Sequence, residues 1–244
     1  MITSTLDNRQ GASCIIGDLG MGKTSLSNFI YSEYLSREES VAVIVPCAGF
    51  RRPFGLLKRI CEELGIPPCR STLDYMMAIE KYLLELHKNG QYVVVFLDEA
   101  EYLDTYMLDL VRQLLNFETT DTGKLIQFVL SGNMGLYDRL TRKRNRALRS
   151  RVLYMNFLEP FTLAETVEMI NFRCDRLNVP MPFTPTAAER IHELSKGVPR
   201  LILAVASAAY DLRHLTTSDK LDADFVSEAY RTNEKPDNVE VIYG

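Results

Sequence analysis

The chain has 244 residues, 46% of them hydrophobic and 25% charged, with a formal net charge of −4. That balance suits an ordinary globular protein with room for one sizeable core, or a core plus a small helical domain. No apolar run approaches the ~20 residues of a membrane helix. The opening MITSTLDNRQGAS also lacks the basic-then-apolar order of a secretory signal.

Cys14, Cys47, Cys61, Cys69 and Cys174 form no C-x-x-C pair and have no adjacent histidine cluster. Scattered thiols of this kind fit a reducing cytoplasm better than a disulfide or zinc framework. His87, His192 and His214 fall in helical patterns with no ligand partner, so packing or surface roles are expected. The expectation is a cytoplasmic protein without a membrane anchor.

Strand-like runs recur at 13–16, 41–46, 92–97, 125–131 and 152–157. Helical patterns lie between them: one after Lys23, then about 54–64, 73–88 and 104–117. Such alternation predicts a parallel, doubly wound α/β sheet. After Pro160 the segments 162–178, 185–195, 199–215 and 223–232 read as helices, with no strand candidate between them. Thr162 opens a capping box with Glu165, and Thr184-Pro185 supplies a cap followed by proline at the first helical position. Gly197-Val198-Pro199 breaks one helix and starts the next. The predicted organisation is an α/β core over 1–160, an all-helical lid over 161–234 and a mobile tail over 235–244.

The run Gly17-Asp18-Leu19-Gly20-Met21-Gly22-Lys23-Thr24 matches G-x-x-x-x-G-K-[ST] between a strand and a helix. Gly17, Gly20 and Gly22 let the backbone curl so that successive N–H groups face phosphates. The following helix adds its positive end. Lys23 is placed to bridge the β- and γ-phosphates of ATP, and Thr24 to give a hydroxyl to Mg²⁺. About 75 residues on, Val93–Leu97 runs into Asp98 and Glu99. An acid at the carboxyl end of a buried strand lies where open α/β sheets bind ligands. Asp98 is expected to hold Mg²⁺ through water, and Glu99 to polarise the attacking water.

FLDEAEYL, LLNFETTDTGKLIQFVLSGNMGL, LRSRV and SKGVPRLI, added to the P-loop, resemble the ExeA/GspA-type AAA+ ATPases and their transposition relatives TniB and TnsC. The resemblance covers roughly residues 12–232, and the Asn116-Phe117-Glu118 stretch is its most specific part. It implies a P-loop AAA+ parallel-sheet core with a C-terminal all-helical lid. It also implies that Asn133 is sensor 1, that Arg151 is an arginine finger reaching a neighbour's ATP, and that Arg200 is the sensor 2 arginine. From charge alone, Arg151 also suits a surface or helix-end role. A cation at a helix start, as at Arg200, is unfavourable unless an anion compensates. Family members usually carry a longer segment before the P-loop strand. ExeA-type secretion proteins usually continue into a membrane span and a peptidoglycan-binding region, neither of which is expected here.

Arg139, Arg142, Lys143, Arg144, Arg146, Arg149 and Arg151 crowd 139–151 without an acid. This cluster suits a subunit contact or DNA equally. A second basic segment holds Arg51, Arg52, Lys58 and Arg59. For Arg51, Arg52 and Lys58 the TnsC resemblance implies contact with double-stranded DNA inside a homo-oligomeric ring or helical filament, with salt-dependent binding. The resulting expectation is an ATP- and Mg²⁺-dependent regulator of a transposase, a target-selection protein or a similar DNA-remodelling partner. A secretion-associated ATPase and an ATP-switched scaffold with little hydrolysis are the alternatives.

Overall fold

The structure is a computed structural model and describes residues 2–233 apart from 120–122, 217 and 219. The expected tail at 235–244 lies outside the described residues. Five strands form one sheet: β1 (Ala12–Ile16), β2 (Ser40–Pro46), β3 (Tyr92–Asp98), β4 (Ile126–Gly132) and β5 (Val152–Phe157). Their order is β2-β3-β4-β1-β5, with every neighbouring pair parallel. All five expected strands are present, shifted by a residue at most at either end.

Side-chain alternation divides the sheet into two faces. Val93, Val95 and Leu97 of β3 point into one core with Ile126, Phe128 and Leu130 of β4. Helices α3 (Pro53–Glu63), α4 (Thr72–Lys88) and α5 (Thr105–Leu114) cover that core. Tyr92, Val94 and Phe96 enter the opposite core with Ile15 and Val129, beneath helix α2 (Lys23–Leu35). Burial on both faces explains why these strands read as continuous apolar runs.

Helix α1 (Ile2–Asp7) has no counterpart in the sequence reading. Ile2 and Leu6 fill the core under α2. The Tyr34 hydroxyl donates to Asp7 Oδ1 at 2.6 Å and to the Thr3 carbonyl at 3.1 Å. Burial, followed by that carboxylate, raises the Tyr34 phenol well above its ordinary pKa. Gln127 Nε2 donates to the Leu6 carbonyl at 2.7 Å. The α1 segment is thus tied to the amino end of the sheet, opposite the P-loop.

The basic stretch after β4 is divided among α6 (Met134–Thr141), a 3₁₀ turn (Lys143–Asn145) and the single-turn helix α7 (Arg146–Arg149). A short antiparallel ribbon pairs Glu118–Thr119 with Gly123–Lys124, so α5 stops before it rather than running to 117.

The chain divides into two compact units. The first holds residues 1–19 and 23–158, the second residues 20–22 and the chain from 159 onward. In the second, α8 (Leu163–Arg176), α9 (Pro185–Ser195), α10 (Pro199–Asp211) and α11 (Ala223–Asn233) enclose Ile170, Ile191, Ile202, Val205 and Val226. The Thr162–Glu165 box closes reciprocally, and the Thr184 hydroxyl accepts from the Ala187 N–H at 3.2 Å. The expected 199–215 helix ends at Asp211 and is followed by a 3₁₀ turn. His192 Nδ1 lies 2.9 Å from the Thr166 hydroxyl, a packing role.

Lys196 and Gly197 both have positive φ, 52° and 72°. A Cβ on Gly197 would stand 2.2 Å from the Phe161 carbonyl oxygen. Gly197→Ala therefore combines a backbone clash with a left-handed conformation. It should destabilise the helical unit by about 3 kcal/mol, read as a lower denaturant midpoint.

Candidate nucleotide site

The sheet order makes β3, β4 and β1 consecutive neighbours. Leu97, Leu130 and Cys14 share one register row. The residues at each strand end therefore emerge side by side: Asp98 closing β3 with Glu99 after it, Asn133 after β4, and Gly17 after β1. Tertiary pairing brings together three groups that are far apart in sequence.

Gly20 and Gly22 adopt φ of 83° and 86°, a region that costs side-chain-bearing residues dearly. The Lys23 ammonium donates to the carbonyls of Gly17 at 2.8 Å and Asp18 at 2.9 Å. It is held across the loop, ahead of the N-terminus of α2. Thr24 Oγ1 donates to Asp98 Oδ2 at 2.8 Å. The other Asp98 oxygen is buried without a hydrogen-bond partner. A hydroxyl and a carboxylate with a spare lone pair form the hard oxygen set that suits Mg²⁺ with retained waters. The residues present therefore fit that ion.

Glu99 has φ 54° and ψ 39°, a left-handed conformation on a residue with a Cβ. The next residues form a 3₁₀ turn, Ala100–Tyr102, closed by the Tyr102 N–H donating to the Glu99 carbonyl at 3.1 Å. The left-handed backbone turns the chain at Glu99 away from the direction of the strand. Cys47, just after β2, donates its N–H to the Asp98 carbonyl at 2.8 Å. Burial, then the nearby carboxylates of Asp98, Glu101 and Glu99, hold its thiol far above the usual range.

Asn133 caps α6: its Oδ1 accepts from the Gly135 N–H at 2.8 Å. That bond fixes the amide orientation and leaves Nδ2 as the available donor. Glu101 was not singled out in the sequence, although it completes the acidic run Asp98-Glu99-Ala100-Glu101. Its Oε2 is buried without a partner, where a Cβ on Gly132 would come within 2.8 Å.

Arg151 is partly buried. Its Nη2 donates to Asn116 Oδ1 at 2.7 Å and its Nη1 to the Ala147 carbonyl at 2.9 Å. Arg139 and Arg149 donate to the carbonyls of Leu103 and Val152. Arg142, Lys143, Arg144 and Arg146 remain exposed. Arg200 belongs to the helical unit, where its N–H donates to the Gly20 carbonyl at 3.2 Å. Arg51 and Arg52 are exposed beside Gly49, whose φ is 95°. Arg52 occupies the N-cap of α3 without a side-chain capping bond. Lys58 pairs with Glu62 at 3.6 Å along the same helix.

A five-stranded parallel sheet with this loop after β1, this carboxylate at the end of β3 and a helical C-terminal unit defines a P-loop AAA+ fold. The family described as "AAA domain" matches residues 6–140, and the chain belongs to it. The chain is 30% identical over 207 residues to general secretion pathway protein A of Aeromonas hydrophila, covering 84% of this chain but 37% of that protein. This bears out the ExeA/GspA-type resemblance.

Among solved structures, the fold is similar to the Aeropyrum pernix ORC2 protein, with a TM-score of 0.70 and 18% identity. That match covers 94% of this chain and 64% of the other. It is also similar to the Thermotoga maritima RuvB Holliday junction branch migration motor, with a TM-score of 0.63 and 19% identity over 95% and 65% of the two chains. Among the described residues no helix is long and apolar enough to cross a membrane.

Glu99 carries backbone strain and adds a third negative charge beside Asp98 and Glu101. Glu99→Asn keeps a residue that tolerates the left-handed region and removes the charge. The variant should gain up to ~1 kcal/mol of stability, measured by urea unfolding without nucleotide.

Proposed function

We propose that the protein binds ATP with Mg²⁺ and hydrolyses it in a homo-oligomer, a ring or helical filament, that assembles on double-stranded DNA. In this reading it regulates a transposase, a target-selection protein or a similar DNA-remodelling partner. The observation that carries the ATPase part is the 2.8 Å bond from Thr24 to Asp98, with Lys23 held across the same loop. The loop N–H groups and the end of α2 would take the phosphates, with Gly17, Gly20 and Gly22 allowing the close approach. Lys23 would exchange its two carbonyl partners for phosphate oxygens. Thr24 and Asp98 would hold the ion, which would supply charge neutralisation to the phosphates.

Glu99 would then take the proton of the attacking water, while Asn133 Nδ2 orients that water or a γ-phosphate oxygen. Arg151 would complete the site of a neighbouring protomer. Arg200, already bonded through its backbone to Gly20, would answer phosphate charge. An anion also resolves the unfavourable placing of a cation at the start of α10.

The DNA part rests on Arg51 and Arg52. Both are exposed, and Arg52 caps a helix whose positive end calls for an anion instead. Repetition of the pair around an assembly would sum modest phosphate contacts. The Lys58–Glu62 pair is exposed and worth little, so Lys58 stays free to exchange its partner for phosphate.

The 30% identity to general secretion pathway protein A favours a second reading, a secretion-associated ATPase. ATP-dependent, salt-sensitive duplex binding separates the two, because only the DNA regulator requires it.

Lys23→Ala should abolish ATP binding in a fluorescent-nucleotide titration. Glu99→Gln should bind ATP normally but turn over roughly 10²–10⁴-fold more slowly. Equal loss of affinity in both would refute the assigned roles. Replacing both Arg51 and Arg52 with Ala should weaken duplex binding across all sequences and flatten its dependence on salt, with ATP affinity unchanged. Wild-type affinity and salt slope in that variant would remove this loop from the DNA interface.

A further inference from the structure

Asn116 stands 35 residues from Arg151 in sequence, yet its side-chain oxygen holds the guanidinium at 2.7 Å. We infer that Asn116 is the positioning residue of the Arg151 finger, holding its guanidinium in place without neutralising it. The inference rests on the reading of Arg151 as an arginine acting on a neighbouring protomer's ATP.

The local backbone around Asn116 is fixed. Its N–H donates to the Gln113 carbonyl at 3.0 Å, in the turn that ends α5. The next residue, Phe117, donates to Leu114 at 3.1 Å, accepts from Leu125 at 3.0 Å and packs against the core. The Asn116 side chain itself is exposed, and among the described residues its hydrogen bond is to Arg151. The Arg151 backbone is equally constrained. Its N–H donates to Leu148 at 2.8 Å, and its carbonyl accepts from Ala12 at 3.1 Å. Gly11 makes that approach possible, because a Cβ there would stand 3.0 Å from the Arg151 oxygen. With the Ala147 carbonyl as second acceptor, each terminal nitrogen of the guanidinium has its own partner.

Both acceptors are neutral. An arginine has five N–H donors and cannot deprotonate. Two bonds to amide oxygens leave three donors and the whole positive charge for a phosphate. A carboxylate at position 116 would hold the same geometry but pair with the charge and compete with the ligand. A long, flexible side chain held beforehand in its working position loses less freedom when it engages. The amide of Asn116 supplies the hold and spares the charge, which gives the Asn-Phe-Glu stretch a physical purpose.

The test compares Asn116→Ala, Asn116→Asp and Arg151→Ala in the assembled, ATP-hydrolysing protein. Asn116→Ala should lower turnover about 10-fold with ATP affinity unchanged. Asn116→Asp should lower it by a similar factor without lowering the thermal midpoint, whereas a merely structural bond predicts wild-type turnover for this isostere. Glu99→Gln protomers bind ATP, stay catalytically silent and carry an intact Asn116–Arg151 pair. Mixing them into Asn116→Ala protein should raise turnover per active site, and the Glu99→Gln/Asn116→Ala double variant should not. Wild-type turnover in either Asn116 variant overturns the inference, and so does an absence of rescue. If Arg151→Ala itself hydrolyses ATP like the wild type, the finger reading fails instead, independently of Asn116.

Discussion

Burial of the central strands on both faces is the constraint from which the rest of the structure follows. β3, β4 and β1 have no solvent-facing side on which to carry polar chemistry. Val93 through Leu97 are all buried, as are Ala12 through Ile16 and Ile126 through Gly132. Functional groups are therefore displaced to the carboxyl ends, where the strands open into loops. Parallel pairing then brings those ends together in one row. The Thr24–Asp98 hydrogen bond is the visible result, joining the start of α2 to the end of β3.

The charge arrangement at those ends follows a second logic. Asp98, Glu99 and Glu101 bring three carboxylates within four residues of chain, while Lys23 is parked on backbone carbonyls rather than on any of them. Two carboxylate oxygens, one on Asp98 and one on Glu101, are buried without partners. Unpaired buried acceptors are costly in a finished fold and make sense where further donors or a cation complete the set. The left-handed backbone at Glu99 is a local cost of the same kind, borne by the rigid strand behind it.

The basic segments divide by how they are held. Arg139 and Arg149 are engaged by backbone carbonyls, so they brace the turns between β4 and β5, while Arg151 is held by the Asn116 amide oxygen and the Ala147 carbonyl. Arg51, Arg52, Arg142, Lys143, Arg144 and Arg146 are exposed. A negative net charge hid this polarisation in the composition, and a basic segment without an acid hid the division of roles within it.

Much was legible from the sequence because the signals were local. The five strands were continuous apolar runs, the P-loop was a fixed spacing of glycines and lysine, and the capping box at Thr162 needs only four residues. α1 was missed because six residues carry too little periodicity, and its helical form depends on Tyr34 and Gln127 from distant elements. The helices expected to reach 117 and 215 stop short, since their ends are set by turn geometry and packing rather than by pattern. The partners of Arg151 and the orphaned oxygen of Glu101 depend on strand order, which the sequence does not write down. The sequence by itself determined the element types and the chemistry at each strand end, because propensity, burial pattern and phosphate-binding spacing act within a few residues. The tertiary structure alone decided which ends became neighbours and what holds each cation in place, because hydrogen bonds between residues 24 and 98, or 116 and 151, exist only once the sheet has assembled.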